Sequence, residues 1–264
     1  MTGAAENTPA LEPGQTVWER FLGPGAVNVA YHEAYNESLI AVLKRPPARV
    51  LELGCSAGRL GQLCRERFPG VHITGIEMDP VAAKVARTRL DHVIEARLED
   101  IDFAAEGIPP GSIDTFIAGD VLEHLYDPWR ALTRVRPLLT PDAQVSVSIP
   151  NIRHLGVHAV LHNEGTWRYE GHGLLDITHI RFFTLRDIVQ MMNETGYDVA
   201  DVRSNIDGQY HDFFRANRDK PAVTLQAGKL KLENLTPAEL QEYCTKQFIV
   251  LGRLRPSPAN DPGA

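Results

Sequence analysis

The sequence predicts an α/β fold in which a parallel sheet carries helices on both faces, and three observations support this. Short apolar runs alternate with stretches of helical period from Arg49 onward, the pattern of strands linked by crossover helices. The run Val50 to Gly58, VLELGCSAG, breaks from apolar residues into two glycines, a turn through which backbone can approach a ligand closely. Asp79-Pro80 and Asp127-Pro128 each place a capping acid before a proline suited to the first helical position.

Taken in order, a helix over residues 31–44 precedes a first strand at 49–53. A helix follows the glycine turn to about Phe68, with Leu60, Leu63 and Cys64 at helical spacing. VHITGIE forms a second strand ending at Glu77, and Asp79-Pro80 opens the next helix. A third strand covers residues 92–96, and IDTFIAG forms a fourth that ends at Asp120. Asp127-Pro128 starts a helix to about Leu139, and AQVSVSI is a fifth strand stopped by Pro150. Thr184 and Asp187 match a T-x-x-D cap for a helix with Leu185, Ile188, Val189 and Met192 on one face and Gly196 as its stop. YDVADVRS is a strand, Thr236 to Glu239 caps a further helix, and QFIVLGRLR closes the fold as a strand.

The chain has 264 residues, 43% of them hydrophobic and 23% charged, which fits one globular domain with insertions. A net charge of −7 and the lack of a Lys/Arg cluster argue against a nucleic-acid partner. No apolar run approaches the roughly 18 residues of a membrane span, and the N-terminus lacks a signal-peptide pattern. The three cysteines, Cys55, Cys64 and Cys244, make no disulfide framework, and a reducing cytoplasm is expected. Residues 1–14 and 255–264 are small, polar and proline-bearing and are expected to be disordered, which leaves 15–254 as the domain.

The glycine turn fails two familiar phosphate patterns. Ser56 and Arg59 stand where a dinucleotide fingerprint needs glycines, and no P-loop lysine follows. Instead, Glu52, Glu77 and Asp120 fall near the carboxyl ends of strands, where such sheets bind ligands. Glu77 is placed to accept hydrogen bonds from ribose hydroxyls. Three acids around one crevice repel one another unless the ligand brings positive charge, and S-adenosylmethionine brings a sulfonium, an ammonium and a ribose.

VLELGCSAG, GIEMDP and AGDVLEHLYDPWRAL resemble the first, second and fourth motifs of class I S-adenosylmethionine-dependent methyltransferases. GHGLLDITHIRFFTLRDIVQMMNETGY is similar to the later half of a bacterial branch found with polysaccharide and natural-product genes. The resemblance implies a Rossmann-like seven-stranded sheet whose antiparallel last strand lies between its neighbours, with helical lid insertions. It also implies that Glu52, Gly54, Cys55, Ser56 and Gly58 shape the methionine pocket, and that Glu77 holds the ribose with Met78 against the adenine. Leu98 and Glu99 would lie along the adenine edge, and Asp120 and Val121 through His124 would face the methionine end. Apart from the resemblance, Tyr31 and Tyr35 in YHEAYNESL are read as closing over the cofactor, with an amphipathic helix that anchors both rings in the core as the alternative. One departure is Arg97, which stands where the branch carries an acid.

Residues 151–183 are too long for a simple connection and are expected to form a lid over the acceptor. They hold half of the ten histidines. His154, His158 and His162 would align on one helical face, and the default reading is a surface or lid stripe; no metal ligand is assigned. Methyl transfer to a hydroxyl needs a proton acceptor, and His124, His154 and His179 are the candidates. Phe182 and Phe183 are expected to pack the lid onto the sheet. The second insertion, 206–235, is expected to cap the acceptor pocket or to contact a partner subunit, which leaves a homodimer open. The functional expectation is O-methylation of a small-molecule acceptor, a sugar or glycosylated natural product. N- or C-methylation and a non-catalytic cofactor-binding module are the alternatives.

Overall fold

The computed structural model describes residues 33–255. Tyr31, the segment 1–14 and the tail beyond Arg255 lie outside them. Among the described residues there are nine strands: β1 (Arg49–Leu53), β2 (His72–Glu77), β3 (His92–Glu95), β4 (Ile113–Gly119), β5 (Leu139–Pro150), β6 (Tyr197–Ile206), β7 (Val223–Ala227), β8 (Leu230–Leu235) and β9 (Thr245–Leu254). The helices are α1 (Ser38–Ala41), α2 (Arg59–Arg67), α3 (Pro80–Ala86), α4 (Pro128–Val135), α5 (Leu155–Glu164), α6 (Leu185–Glu194), α7 (His211–Asn217) and α8 (Pro237–Cys244).

Seven strands form one sheet in the order β3-β2-β1-β4-β5-β9-β6. β9 runs antiparallel to both β5 and β6, as expected, and the pairings among β3, β2, β1, β4 and β5 are parallel. Side-chain alternation feeds two cores. Leu51, Phe116, Ala118, Val145 and Val250 pack with α4 and α6 on one face. Val50, Ile73, Ile117, Ile249 and Leu251 pack with α1, α2 and α3 on the other. The register sets Leu53 beside Ile76 on one side and Ala118 on the other, so β1, β2 and β4 end level with one another. The strand order reverses between β1 and β4 there, the place where such sheets bind ligands in a crevice.

The caps form as the sequence predicts. Asp79 accepts from the amides of Val81 and Ala82, Asp127 accepts from that of Arg130, and Thr184 and Thr236 each close a capping box, with Asp187 and Glu239 respectively.

Four expectations are corrected. Before β1 the expected helix is broken at residues 34–36 and resumes only as Ser38–Ala41, because the amides of Lys44 and Arg45 donate to Gln144 Oε1 of β5 instead of continuing the helical ladder. α4 stops at Val135 rather than Leu139, because Pro137 has no N–H to continue the ladder and a single 3-10 turn replaces it. The second insertion is not purely helical. After α7 it forms the β7–β8 hairpin, whose turn carries Gly228 at φ +62°. His154 precedes α5 at φ −59°, ψ 135°, so the three spaced histidines do not share a helical face. The two insertions meet: Asn163 of α5 bonds Ala227 O and Lys229 N of the hairpin, and Leu155, Val223, Leu225, Leu235 and Leu240 form a third, smaller core.

The edge strand β6 is tied to α4 by the fully buried Tyr197, whose hydroxyl donates to Leu132 O at 2.8 Å. Tyr197→Phe is expected to lower unfolding free energy by about 1 kcal/mol. A urea titration should show a lower midpoint with an unchanged slope.

Candidate active site

The turn after β1 is shaped by contacts that only glycine permits. Gly54 has φ +67°, and a Cβ there would lie 2.3 Å from Cγ2 of Val121 in the turn after β4. The amides of Gly54 and Cys55 both donate to Ile76 O, which ties the turn to β2. Gly58, at φ +78°, is the left-handed residue that opens α2. Ser56 and Asp120 also have positive φ, 49° and 52°, although neither is glycine. Backbone strain of this kind collects at functional sites.

Three acids converge on these strand ends. Glu77 is held by both oxygens, Oε2 accepting from Ser56 N at 2.9 Å and Oε1 from Asp79 N at 2.8 Å. Each oxygen keeps a lone pair for a further donor. Glu52 is buried beneath the first turn of α2, close to Gly61, and its Oε2 has no hydrogen-bond partner. Burial first, then the charge of Glu77, pushes its carboxyl up to about 8. Asp120 lies open to the crevice but is flanked closely by protein. It accepts from Ser148 Oγ at 3.2 Å and from Gln247 Nε2, and burial of its carboxyl raises its pKa.

The other expected cofactor residues divide. Met78 is 67% exposed at the end of β2, an apolar side chain open to a flat partner. Cys55 is buried with its sulfur against Gly75, and burial raises its thiol pKa; only its backbone faces the turn. Leu98 is a core residue, and the turn it begins is held from behind by Arg134, which donates to Leu98 O and Ile101 O. Glu99 is exposed, 3.8 Å from the outward-pointing Arg97. Arg97 therefore leaves the crevice rather than filling it. Tyr35 is exposed and lies under the guanidinium of Arg59, which also pairs with Glu33 at 3.5 Å. Arg89 joins Glu33 to the turn through Ala57 O at 2.8 Å.

The three histidine candidates are not brought to one place. His124 and His179 are, with ring centroids 4.7 Å apart. His179 Nε2 lies 3.8 Å from Glu123 Oε1, and the buried Glu123 leaves both carboxylate oxygens without hydrogen-bond partners. Burial lowers both imidazole pKa values. His154 stands apart. Its Nδ1 accepts from Gly156 N at the start of α5, its Nε2 is 3.4 Å from Asp207, and its ring packs on Tyr210. Burial pushes it down to about 4. That is a helix-capping histidine. His158 meets Tyr243 edge-on and His162 is exposed. Phe183 packs in the core beside Trp129, as expected, whereas Phe182 is 37% exposed against Trp167.

Glu123 is the residue that sequence reasoning passed over as a site in its own right. The adjacent Glu-His pair at 123–124 was the available signal, but burial of a carboxylate without a partner depends on residues 176–181, distant in sequence.

The reversed strand between β5 and β6 and the acid-lined glycine turn define a class I methyltransferase fold. A family model described as a methyltransferase domain matches residues 30–202, and the chain belongs to that family, in which S-adenosylmethionine is the methyl donor. A solved S-adenosylmethionine-dependent methyltransferase from Archaeoglobus fulgidus superposes with a TM-score of 0.56 at 15% identity, covering 89% of this chain and 97% of that one. A second, from Thermotoga maritima and described as a possible histamine N-methyltransferase, gives 0.51 at 16% identity over 82% and 86%. Among curated relatives, the ubiquinone biosynthesis O-methyltransferase of Xanthomonas campestris pv. campestris (strain B100) is 30% identical over 112 residues, 40% of this chain and 44% of the relative. The trans-aconitate 2-methyltransferase of Rhizobium meliloti (strain 1021) is 33% identical over 106 residues, 40% of each. The chain spans less than half the length of the curated relatives it matches. No described helix is long and apolar enough to cross a membrane.

The residues fit the cofactor of this class. Glu52, a buried carboxyl with an unpartnered oxygen, lies by the turn, and Glu77 keeps lone pairs at the β2 end. A cationic ligand placed beside Glu52 favours its ionised form, so binding near neutral pH should release protons. Titration calorimetry with S-adenosylmethionine in buffers of different ionisation enthalpy should detect that release, and Glu52→Gln should reduce it. Equal proton counts for the two proteins would mean that Glu52 does not sense the ligand's charge.

Proposed function

We propose that the protein transfers the methyl group of S-adenosylmethionine to a hydroxyl of a small molecule, a sugar or glycosylated natural product. The observation that carries the reading is the convergence of Glu52, Glu77 and Asp120 at the level ends of β1, β2 and β4. In it Glu77 holds the ribose hydroxyls, Met78 lies against the adenine, Leu98 and Glu99 border the ring, and Tyr35 covers the cofactor. The turn at Gly54, Cys55, Ser56 and Gly58, with Glu52, Asp120 and Val121, holds the methionine end. When bound, the cofactor supplies an electrophilic methyl group. The chain's own residues orient the acceptor oxygen and see its proton removed.

The Glu123, His124 and His179 cluster supports placing the acceptor oxygen on that side of the crevice. Its rim is apolar and aromatic: Tyr126 is 80% exposed, and Ile180 and Phe182 are also exposed. Such a rim suits the flat apolar face of a sugar or aromatic ring. His154, committed to capping α5 and to Asp207, is set aside as the base. Positioning of the acceptor is worth about 7–11 kcal/mol in favourable cases, and proton removal adds about 10²- to 10⁴-fold.

Titration calorimetry should show binding of S-adenosylmethionine and S-adenosylhomocysteine but not NADH. Glu77→Ala should weaken binding roughly 10- to 100-fold, as for loss of hydrogen bonds to a charged group. Incubation with a panel of sugars and glycosides should give O-methylated products by mass spectrometry. Products methylated only on nitrogen or carbon would overturn the hydroxyl assignment. Tight cofactor binding without turnover on any acceptor class would favour a binding module.

A further inference from the structure

We infer that Glu123, His124 and His179 form a binding site for one divalent transition-metal ion beside the crevice, separate from the histidines of α5. One nitrogen from each imidazole and one oxygen of Glu123 all lie within 4.8 Å of one another. What converges there is a set of acceptors. His179 Nδ1 lies 3.2 Å from Leu174 O, and a carbonyl only accepts, so that nitrogen carries the proton and Nε2 is left with a lone pair. That Nε2 is the atom 3.8 Å from Glu123 Oε1. His124 Nδ1 is likewise 3.2 Å from Thr178 O and 2.9 Å from Thr178 Oγ1, whose own hydrogen goes to Asp176 Oδ1 at 2.6 Å. The proton again sits on Nδ1, and the lone pair on Nε2.

Glu123 is 1% exposed and neither of its oxygens has a hydrogen-bond partner. At 3.8 Å a protonated Glu123 would not reach His179 in a hydrogen bond. Buried polar groups of this kind are few in folded proteins and call for a partner. Burial first, then the charges of Asp120 and Asp176, raises the Glu123 carboxyl well above the carboxylate range. A cation reverses that cost. The arrangement also has the outer support that metal-bound imidazoles use, an N–H to a carbonyl that fixes each ring's tautomer. The amides of Ile180 and Arg181 both donate to Glu123 O at 3.0 Å, clamping the 122–124 turn to the lid segment. His124 is only half-buried, which leaves a way in.

Two imidazoles and one carboxylate suit zinc, cobalt, manganese or ferrous iron. Three protein ligands leave a coordination position for an oxygen. On the hydroxyl-methylation reading, on which this part rests, the acceptor hydroxyl takes that position and gives its proton to solvent as coordination lowers its pKa. His124 and His179 are then ligands rather than bases.

The test is a cobalt(II) titration of the full-length, chelator-treated protein without cofactor or acceptor, read by visible ligand-field absorption. One saturable equivalent is expected, displaced by zinc. Glu123→Gln and His179→Gln should each weaken cobalt binding by at least about tenfold, and Thr178→Val, which keeps all three ligands, by about tenfold. His162→Ala, an exposed position on α5, should match the wild type. Circular dichroism checks folding, and if a ligand variant unfolds, Thr178→Val and the wild-type spectrum decide. No saturable site, or equal affinity across the variants, would overturn the inference. Since the titration contains neither cofactor nor acceptor, it can fail while the methyl-transfer reading stands.

Discussion

The close approach of two turns governs this molecule. β1 and β4 lie side by side in parallel, and the chain leaving each must turn within a few residues. The turn after β1 passes so near Val121 that a single Cβ at position 54 would overlap it, so glycine and a left-handed backbone are obligatory there. With the strand ends levelled by register, this contact sets the 54–58 turn against the 120–124 turn. The acids sit on these elements: Glu52 on β1, Asp120 and Glu123 in the turn after β4, and Glu77 at the end of β2, which the first turn grips through Ile76 O.

The consequence is electrostatic. Glu52 and Glu123 are buried carboxyls with unpartnered oxygens, an expensive arrangement in a low-dielectric interior. Opposing effects hold the neighbouring acids: Glu77 is stabilised by two amides, and Asp120 by a serine and a glutamine. Carboxyls raised by burial in this way ionise readily only beside positive charge, which the proposed cofactor would supply at the crevice end and the proposed metal ion at the Glu123 end.

The insertions solve a different problem. Neither could bury an apolar face alone, but α5 packs on the β7–β8 hairpin and α8, and Asn163 stitches the two together. The two insertions thus share a small core, and the first is anchored to the sheet by Phe183 and by the amides that grip Glu123 O.

The sequence by itself determined the order of strands and helices, the capped helix starts, the glycine turn and the acids at the strand ends. Those features are local: period, capping chemistry and turn glycines act within a few residues. Even the β7–β8 hairpin was legible in principle, since VTLQAGKLKLENL alternates around a glycine turn. Equal spacing of His154, His158 and His162 misled, because spacing counts residues and not where a helix begins. Tertiary structure alone decided that His124 and His179 meet at Glu123 while His154 faces Asp207, and that Arg97 turns outward. The reason is physical: which side chain loses its water, and which lone pairs face one another, depends on segments some fifty residues apart being folded together, as Thr178 is onto His124.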